Sequence, residues 1–292
     1  MVAPAFDYVA ADSYGEAVRL LTAHGDEAKI LAGGQSLMPM LNLRLAHPGL
    51  LIDISSADER QPSVKDGMLR LPALTRHRVL LQHDLVRQHC PLLADAVRHV
   101  GNVRVRNRGT IGGSLAHADP TSEIGCCALA AGAEVVARGP DGDRTVPAGD
   151  LFAGYWSTTL AESEVITDVL IPAARPGQGW SFLEMVRRTS DFAIVAVAAT
   201  IFLAERSVAI ASATIALAGV ADRVVLADPD LAGLTGSATT DEALDAAAGR
   251  IAEHLEPSDD VHASGAYRRR LARVLVARAL RQARDRAAGA VR

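Results

Sequence analysis

The chain has 292 residues, 49% apolar and 22% charged, the make-up of an ordinary globular protein with room for two or three domains. Its formal net charge of −4 argues against nucleic acid as the main partner, since polyanion binders carry a basic excess. No apolar run reaches the roughly 18 residues a membrane span needs, and the opening MVAPAFDYVAADSYGEAVRLL lacks the basic start and apolar core of a secretory signal, so a cytoplasmic location is expected.

SYGEAVRLLTAHGD places Ala17, Val18, Leu20 and Leu21 at near-helical spacing and predicts a helix stopped by Gly25. AKILAGG reads as a short buried strand that ends in a glycine pair. In SLMPMLNLRLAHPG, Pro39 and Pro48 bracket a short helix or turn. GLLIDIS is a further strand, and GMLRLPALT alternates like a half-buried one. RHRVLLQHDLVRQHCPLLADAVRHVG predicts two helices broken at Pro91. RNRGTIGGSLAHADPTSEIGCCALAAGAEVVARG predicts a loop, a helix from about Ser122, then a strand. A β-rich unit closes near Pro172, and the Pro/Gly stretch AARPGQGW sets the main boundary, giving domains 1–175 and 176–292 and subdomains of about 1–58 and 59–175. Beyond it, WSFLEMVRR, IVAVAATIFLAE and SATIALAGVADRVVLAD read as strands of one sheet. TTDEALDAAAGRIAEHL predicts a helix capped by Thr240 or Thr239. A last long helix holds Leu271, Val274, Leu275 and Leu280 on one side. Residues 266–292 carry nine arginines and one acid, Asp285, which reads as a solvated face or a docking face for an acidic partner.

Two glycine pairs stand out, each followed by Ser and Leu: Gly33-Gly34-Gln35-Ser36-Leu37 and Gly112-Gly113-Ser114-Leu115. A glycine pair after a strand lets backbone N–H groups converge on an anion, usually phosphate, without Cβ atoms in the way. Ser36 and Thr110 could add hydroxyls. Two such loops suit a pyrophosphate, although each pair could also be a plain turn. Neither G-x-x-x-x-G-K-[ST] nor G-x-G-x-x-G is present, which excludes a P-loop and makes a Rossmann site improbable. Gly34-Gln35-Ser36-Leu37-Met38 lacks the second glycine of a hydrolase nucleophile elbow. His117, Asp119 and Glu123 are close in sequence, but their spacing fits a turn and a helix start better than a metal site. Cys126 and Cys127 fit an apolar helix core. With Cys90 they make three cysteines, too few for an all-cysteine iron–sulfur cluster. No catalytic acid–base pair and no metal site are assigned.

ILAGGQSLMPMLNLRLAHPGLLIDI and VRVRNRGTIGGSLAHADPTSE, followed by EMVRRTSDFAIVAVAA and HASGAYRRRLARVLVARAL, together resemble the FAD-binding medium subunit of the molybdenum hydroxylases, the flavoprotein family of aerobic carbon monoxide dehydrogenase and the flavin domain of xanthine dehydrogenase. The resemblance runs end to end. It implies an α+β fold: a vanillyl-alcohol-oxidase-type (PCMH-type) FAD domain of two subdomains, then a small C-terminal α/β domain with an antiparallel sheet. It implies that both loops wrap the FAD pyrophosphate. The first comprises Leu31, Ala32, Gly33 and Gly34, then Gln35, Ser36, Leu37 and Met38. The second comprises Thr110, Ile111, Gly112, Gly113 and Ser114. Gln35 replaces the histidine of some members and Ser114 an asparagine. Glu123 occupies the position of an acid near the cofactor, Val100 that of an apolar or aromatic contact, and Ile166 that of an apolar residue near the ring. Glu184 stands where a lysine is frequent, which changes the charge there.

The expected function is electron transfer. FAD on this chain would receive electrons from the [2Fe–2S] clusters of a small partner subunit, a large molybdopterin subunit would oxidise the substrate, and an external acceptor would reoxidise the flavin. A dimer of heterotrimers is expected. The alternatives are a stand-alone FAD-dependent oxidoreductase acting on a small molecule, and an assembly subunit that binds FAD without redox work.

Overall fold

The computed structural model describes residues 3–204, 209–228, 233–237 and 239–290. Near the N-terminus, Asp7–Ala10 (β1), Ala28–Leu31 (β2) and Leu50–Asp53 (β3) form an all-parallel sheet in the order β1-β3-β2. Helix α1 (Tyr14–His24) crosses between β1 and β2. It starts where Ser13 Oγ accepts the Glu16 amide at 3.2 Å, while Glu16 turns back to accept the Asp12 amide at 2.8 Å. Tyr14, Ala17, Val18 and Leu21 are its buried face, and Gly25 ends it at φ 56°. All three strands point their C-terminal ends toward the stretch where β2 leaves through Gly33-Gly34 into α2 (Leu37–Asn42). Ligand loops commonly leave parallel sheets at this edge. Pro39 lies inside α2, within its first turn, where a missing N–H costs nothing.

A second, antiparallel sheet has the order β4-β5-β10-β6-β7. Its strands are Ser63–Lys65 (β4), Met68–Pro72 (β5), Glu134–Gly139 (β6), Gly142–Pro147 (β7) and Val165–Pro172 (β10). Alternation sets its buried face: Leu69 and Leu71 point inward while Arg70 points out to the buried Asp168 carboxylate at 2.7 Å. Six short helices lie between β5 and β6 in the chain, and most of their buried residues share one core with Leu69 and Leu71. The region expected to hold two helices holds three: α3 (His77–Gln82), α4 (Asp84–His89) and α5 (Pro91–Ala96). The additional break falls at His83, extended at φ −74° and ψ 129°, whose ring nitrogen caps α4. The expected loop before Ser122 is itself largely helical, with α6 (Val103–Arg108) and α7 (Ile111–His117). Helix α8 (Glu123–Ala130) follows, capped by Ser122 Oγ on the Gly125 amide. The short α9 (Ala148–Leu151) leads to a small hairpin, β8 (Phe152–Gly154) and β9 (Ser157–Thr158).

The third sheet is antiparallel, in the order β11-β12-β13-β14: Gln178–Val186 (β11), Ala193–Leu203 (β12), Ile210–Ala218 (β13) and Val225–Leu226 (β14). Strand β12 is buried on both faces. Val195, Val197 and Ile201 join the core formed with α10 (Asp241–Glu253) and α11 (Gly265–Ala290). The alternate residues Ala196 and Ala198, with Ala216 and Ala218 of β13, belong to the core that contains α8. Small side chains there let α8 approach closely enough for Cys126 Sγ to reach the Ala216 carbonyl at 3.3 Å. The central core therefore spans both halves of the chain. Thr240 caps α10 through the Ala243 amide. On α11, Leu271, Leu275 and Leu280 are buried, but Val274 is 41% exposed, because it sits on the outer side of the stripe. Among the described residues no helix is long and apolar enough to cross a membrane.

Candidate functional site

The first glycine loop leaves β2 half-buried and almost without internal hydrogen bonds. Among the described residues, the backbone amides of Gly33, Gly34, Gln35, Ser36 and Leu37 have no protein acceptor; the first amide that does is Met38, bonded to the Gly34 carbonyl at 3.2 Å. The Gln35 side chain folds back to donate to the Gly33 carbonyl at 3.1 Å. Gly33 is buried and the other four residues are half-exposed, so this run offers five consecutive amides, without protein acceptors, to an acceptor from outside. Gly34 is in the left-handed region at φ +72°, which a side chain would strain.

The two glycines of this pair do different things. A Cβ on Gly33 would lie 2.4 Å from the Arg108 carbonyl oxygen and 2.9 Å from the Gly109 Cα. Gly33 thus allows the two loops to touch, and Gly34 allows the turn.

In the second loop the amides from Ile111 to Ser114 are bonded within the protein. The Ile111 amide donates to the Thr75 carbonyl at 3.0 Å, and the Gly112 amide to the Ala73 carbonyl at 2.9 Å. Gly113 donates to Thr110 Oγ1 at 3.2 Å and Ser114 to the Thr110 carbonyl at 3.0 Å. The Thr110 hydroxyl is therefore a helix cap. A Cβ on Gly112 would lie 2.6 Å from the Ala73 Cβ, so this glycine lets α7 press on the end of β5. His77, 2% exposed, locks the arrangement: Nε2 lies 3.1 Å from the Thr110 carbonyl and 3.0 Å from Ser114 Oγ. Bonding a carbonyl makes Nε2 the protonated nitrogen and leaves Nδ1 a buried acceptor without a partner. Burial lowers the His77 pKa to about 4, so the ring is neutral.

At the far end of α7 lies a cluster of acids and imidazoles. Ala118 is left-handed at φ 51°, and it turns the chain so that Asp119 Oδ1 accepts from the Thr121 amide and hydroxyl at 2.8 and 2.6 Å. Oδ2 of the same residue lies 3.9 Å from His117 Nε2 and 3.5 Å from the Trp156 indole nitrogen. The Pro120 carbonyl accepts from the Gly219 amide at 2.8 Å, which docks this turn on the third sheet. Arg268 of α11 donates to the carbonyls of Ile194 and Gly219, so a buried cation from the last helix holds the docking strands. Arg281, Arg284 and Arg286 likewise pair with Asp245, Asp241 and Asp95 of the same chain. Much of the arginine-rich face is therefore turned to internal pairing; Arg292 lies outside the described residues.

Glu184 reaches into this cluster from β11. Oε1 is 3.0 Å from His99 Nδ1, while Oε2 is buried with no partner, and the side chain is 7% exposed. An unsatisfied buried acceptor costs about 1–3 kcal/mol. Hydrogen bonding to Glu184 raises the His99 pKa. Burial, reinforced by Glu184 and Asp119, raises that of Glu123 to about 7. Val100 and Ile166 lie in the hydrophobic core, 9% and 5% exposed. Among the described residues no three His, Cys, Asp or Glu side chains come together to hold a metal. Sequence reasoning singled out neither His77 nor His99. Each acts on a residue at least 33 positions away, and no local pattern marks it.

Residues 4–174 match the family described as the FAD binding domain in molybdopterin dehydrogenase, and residues 180–283 the CO dehydrogenase flavoprotein C-terminal domain. The chain is similar to the carbon monoxide dehydrogenase medium chain of Hydrogenophaga pseudoflava, 37% identical with 97% of this chain and 98% of the relative covered. It is equally similar, at 37% identity over 98% and 97% of the two chains, to the 6-hydroxypseudooxynicotine dehydrogenase complex subunit alpha of Paenarthrobacter nicotinovorans. The fold superposes on a chain of the Hydrogenophaga pseudoflava carbon monoxide dehydrogenase that lacks the Mo-pyranopterin moiety, with a TM-score of 0.95, 38% identity and coverage of 98% and 99%.

Proposed function

The chain belongs to the family of FAD-binding medium subunits of the molybdenum hydroxylases, and from that premise we propose that it relays electrons from the [2Fe–2S] clusters of a small partner subunit to an external acceptor. A large subunit with molybdopterin would oxidise the substrate, in a dimer of heterotrimers. We place the domain boundary between residues 175 and 176. Two relatives of equal identity carry the names of different substrates, carbon monoxide and 6-hydroxypseudooxynicotine, so overall identity does not choose a substrate for this chain.

The observation that carries the reading is the run of five unpaired amides from Gly33 to Leu37. Such a concavity fits a phosphate, and the two loops in contact at Gly33 and Arg108 fit a dinucleotide laid across them. Gly33 to Leu37 would hold the pyrophosphate, and Thr110 to Ser114 would brace them. Bound FAD would supply a centre that accepts electrons singly and releases them as a pair. The protein's work is to bind and orient the cofactor, and its own side chains need not touch the substrate.

Titrating the purified chain with FAD tests this, with flavin fluorescence and the spectrum of the bound form as readouts. Stoichiometric uptake is expected, weakened about tenfold or more by Gly34→Ala, which strains the turn that aims the amides. No uptake, or uptake indifferent to Gly34→Ala, would overturn the assignment.

A further inference from the structure

Glu123, Glu184 and His99 belong to three different segments; Glu184 and His99 are in contact at 3.0 Å, and Glu123 is close enough to feel the charge of both. Glu123 opens α8, His99 lies in the turn after α5, and Glu184 crosses from the third sheet. The imidazole side chain is 40% exposed and the Glu184 side chain 7%, so the series runs from solvent inward. The Glu184 oxygen facing away from His99 is buried without a partner, and Glu123 lies within electrostatic reach of both residues. Two buried acids near one another repel, and one proton on the pair removes that repulsion.

The cluster is also placed where charge would change. Gly113, in the first turn of α7, faces Ala32 of the free-amide loop. Seven residues carry α7 about 10 Å to the turn that precedes Glu123. Phosphates at the first loop would thus leave the other end of an extended dinucleotide within reach of the acids.

We propose that Glu123, Glu184 and His99 form a proton-exchange site for the bound flavin: the carboxylate pair takes up one proton from solvent through the His99 ring when electrons are added to the flavin, and returns it when they leave. This rests on the FAD reading above. The electrons come from an iron–sulfur donor, which passes electrons without protons. The proton comes from water, crosses the imidazole, and converts one carboxylate to a carboxylic acid. Reoxidation by the acceptor reverses the transfer, so charge and atoms balance over the cycle. In a site of low dielectric, added negative charge favours that protonation. The local charges fit. Glu123 titrates at about 7, pushed up by burial, Glu184 and Asp119 and opposed by His99. His99 is held up by Glu184, Glu123 and Asp95. Asp95 is itself bound by Trp180 and Arg286, His117 pairs loosely with Asp119, and the Cys126 thiol, one turn further along α8, points to the Ala216 carbonyl.

Infrared difference spectroscopy on the full chain reconstituted with FAD, reduced electrochemically at neutral pH, tests the proposal. A protonated-carboxyl band should grow on reduction and vanish on reoxidation. Glu123→Gln or Glu184→Gln should abolish it. His99→Gln keeps a donor to Glu184 but cannot relay, so the same band should appear at least about tenfold more slowly. A flavin that reduces with no carboxyl band, or a His99→Gln chain with an unchanged rate, would overturn the proposal alone. A chain that takes up no FAD would overturn the reading beneath it, and the proposal with it. The two failures are separable, because in the cofactor-free chain the Glu123 carboxyl band can be titrated directly.

Discussion

The two glycine loops carry nearly the same letters and do opposite work. At Gly33-Gly34 the chain leaves a parallel strand, and the amides that follow have no protein partner. At Gly112-Gly113 the chain enters a helix, and every amide from Ile111 to Ser114 is bonded internally. The first loop leaves its amides open to an acceptor from outside, and the second spends its amides from Ile111 to Ser114 within the protein. What separates them is the neighbour. Thr75, Ala73 and the Thr110 side chain supply acceptors to the second loop, whereas the first is met mainly at Gly33, where the Arg108–Gly109 backbone leaves no room for a side chain. A glycine pair therefore signals close backbone approach, and only its surroundings say whether a ligand or the protein itself approaches.

Substitutions can break this division of labour. The largest effect is expected at Gly33→Ala, whose Cβ would meet backbone atoms at 2.4 and 2.9 Å. Backbone cannot yield as a side chain tip can, so a loss of about 3 kcal/mol in urea unfolding is expected, with FAD uptake lost as the loops part. A wild-type-like unfolding midpoint would show that the loops do not depend on that contact.

The second loop should be sensitive to acid. His77 titrates near the ordinary 6.5 when unfolded and at about 4 when folded. Between these values the unfolded chain binds the additional proton, so stability falls as pH drops from 6.5 toward 4, by up to about 3 kcal/mol. The slope should flatten in His77→Gln. An equal slope in wild type and variant would assign the acid lability to other groups.

Gly34→Ala should cost about 1–2 kcal/mol of stability through the left-handed backbone, yet affect FAD affinity more than any change in the second loop. Thr110→Val should remove one helix cap, about 1 kcal/mol, and weaken FAD less than Gly34→Ala does. If thermal melts and FAD titrations ranked the two variants the other way round, the second loop would be the receptor.

Much of the framework was legible in the sequence. Ser13 and Gly25 bound the first helix, Ser122 and Thr240 cap theirs, and the alternation in GMLRLP marks a strand with one wet face. These are local effects, decided by hydrogen bonds and side-chain periodicity within a few residues. The helices at Val103–Arg108 and Ile111–His117 were not legible. Asn102 caps the first, and its side chain also suits a turn. The second begins with Gly112-Gly113, poor helix formers that tertiary contact with Ala73 overrides. Strand β1 escaped as well, because four residues at a sheet edge are too short to show a period. At the candidate site, the glycine pairs drew attention to both loops, but their unequal roles depended on acceptors far away in the chain.

Sequence alone determined where the chain must turn, which helices could be capped, and that two glycine pairs stand in positions where backbone has to come close. Tertiary structure decided what comes close. It assigned the Gly112 contact to Ala73, the Gly33 contact to the Arg108–Gly109 backbone, and left five amides open. It also brought Glu184 to His99 across 85 residues and gave most of the last helix's arginines to acids and carbonyls of the same chain. Hydrogen bonding and charge depend on distance in space, and a sequence fixes that distance only over the few residues that one turn or one strand spans.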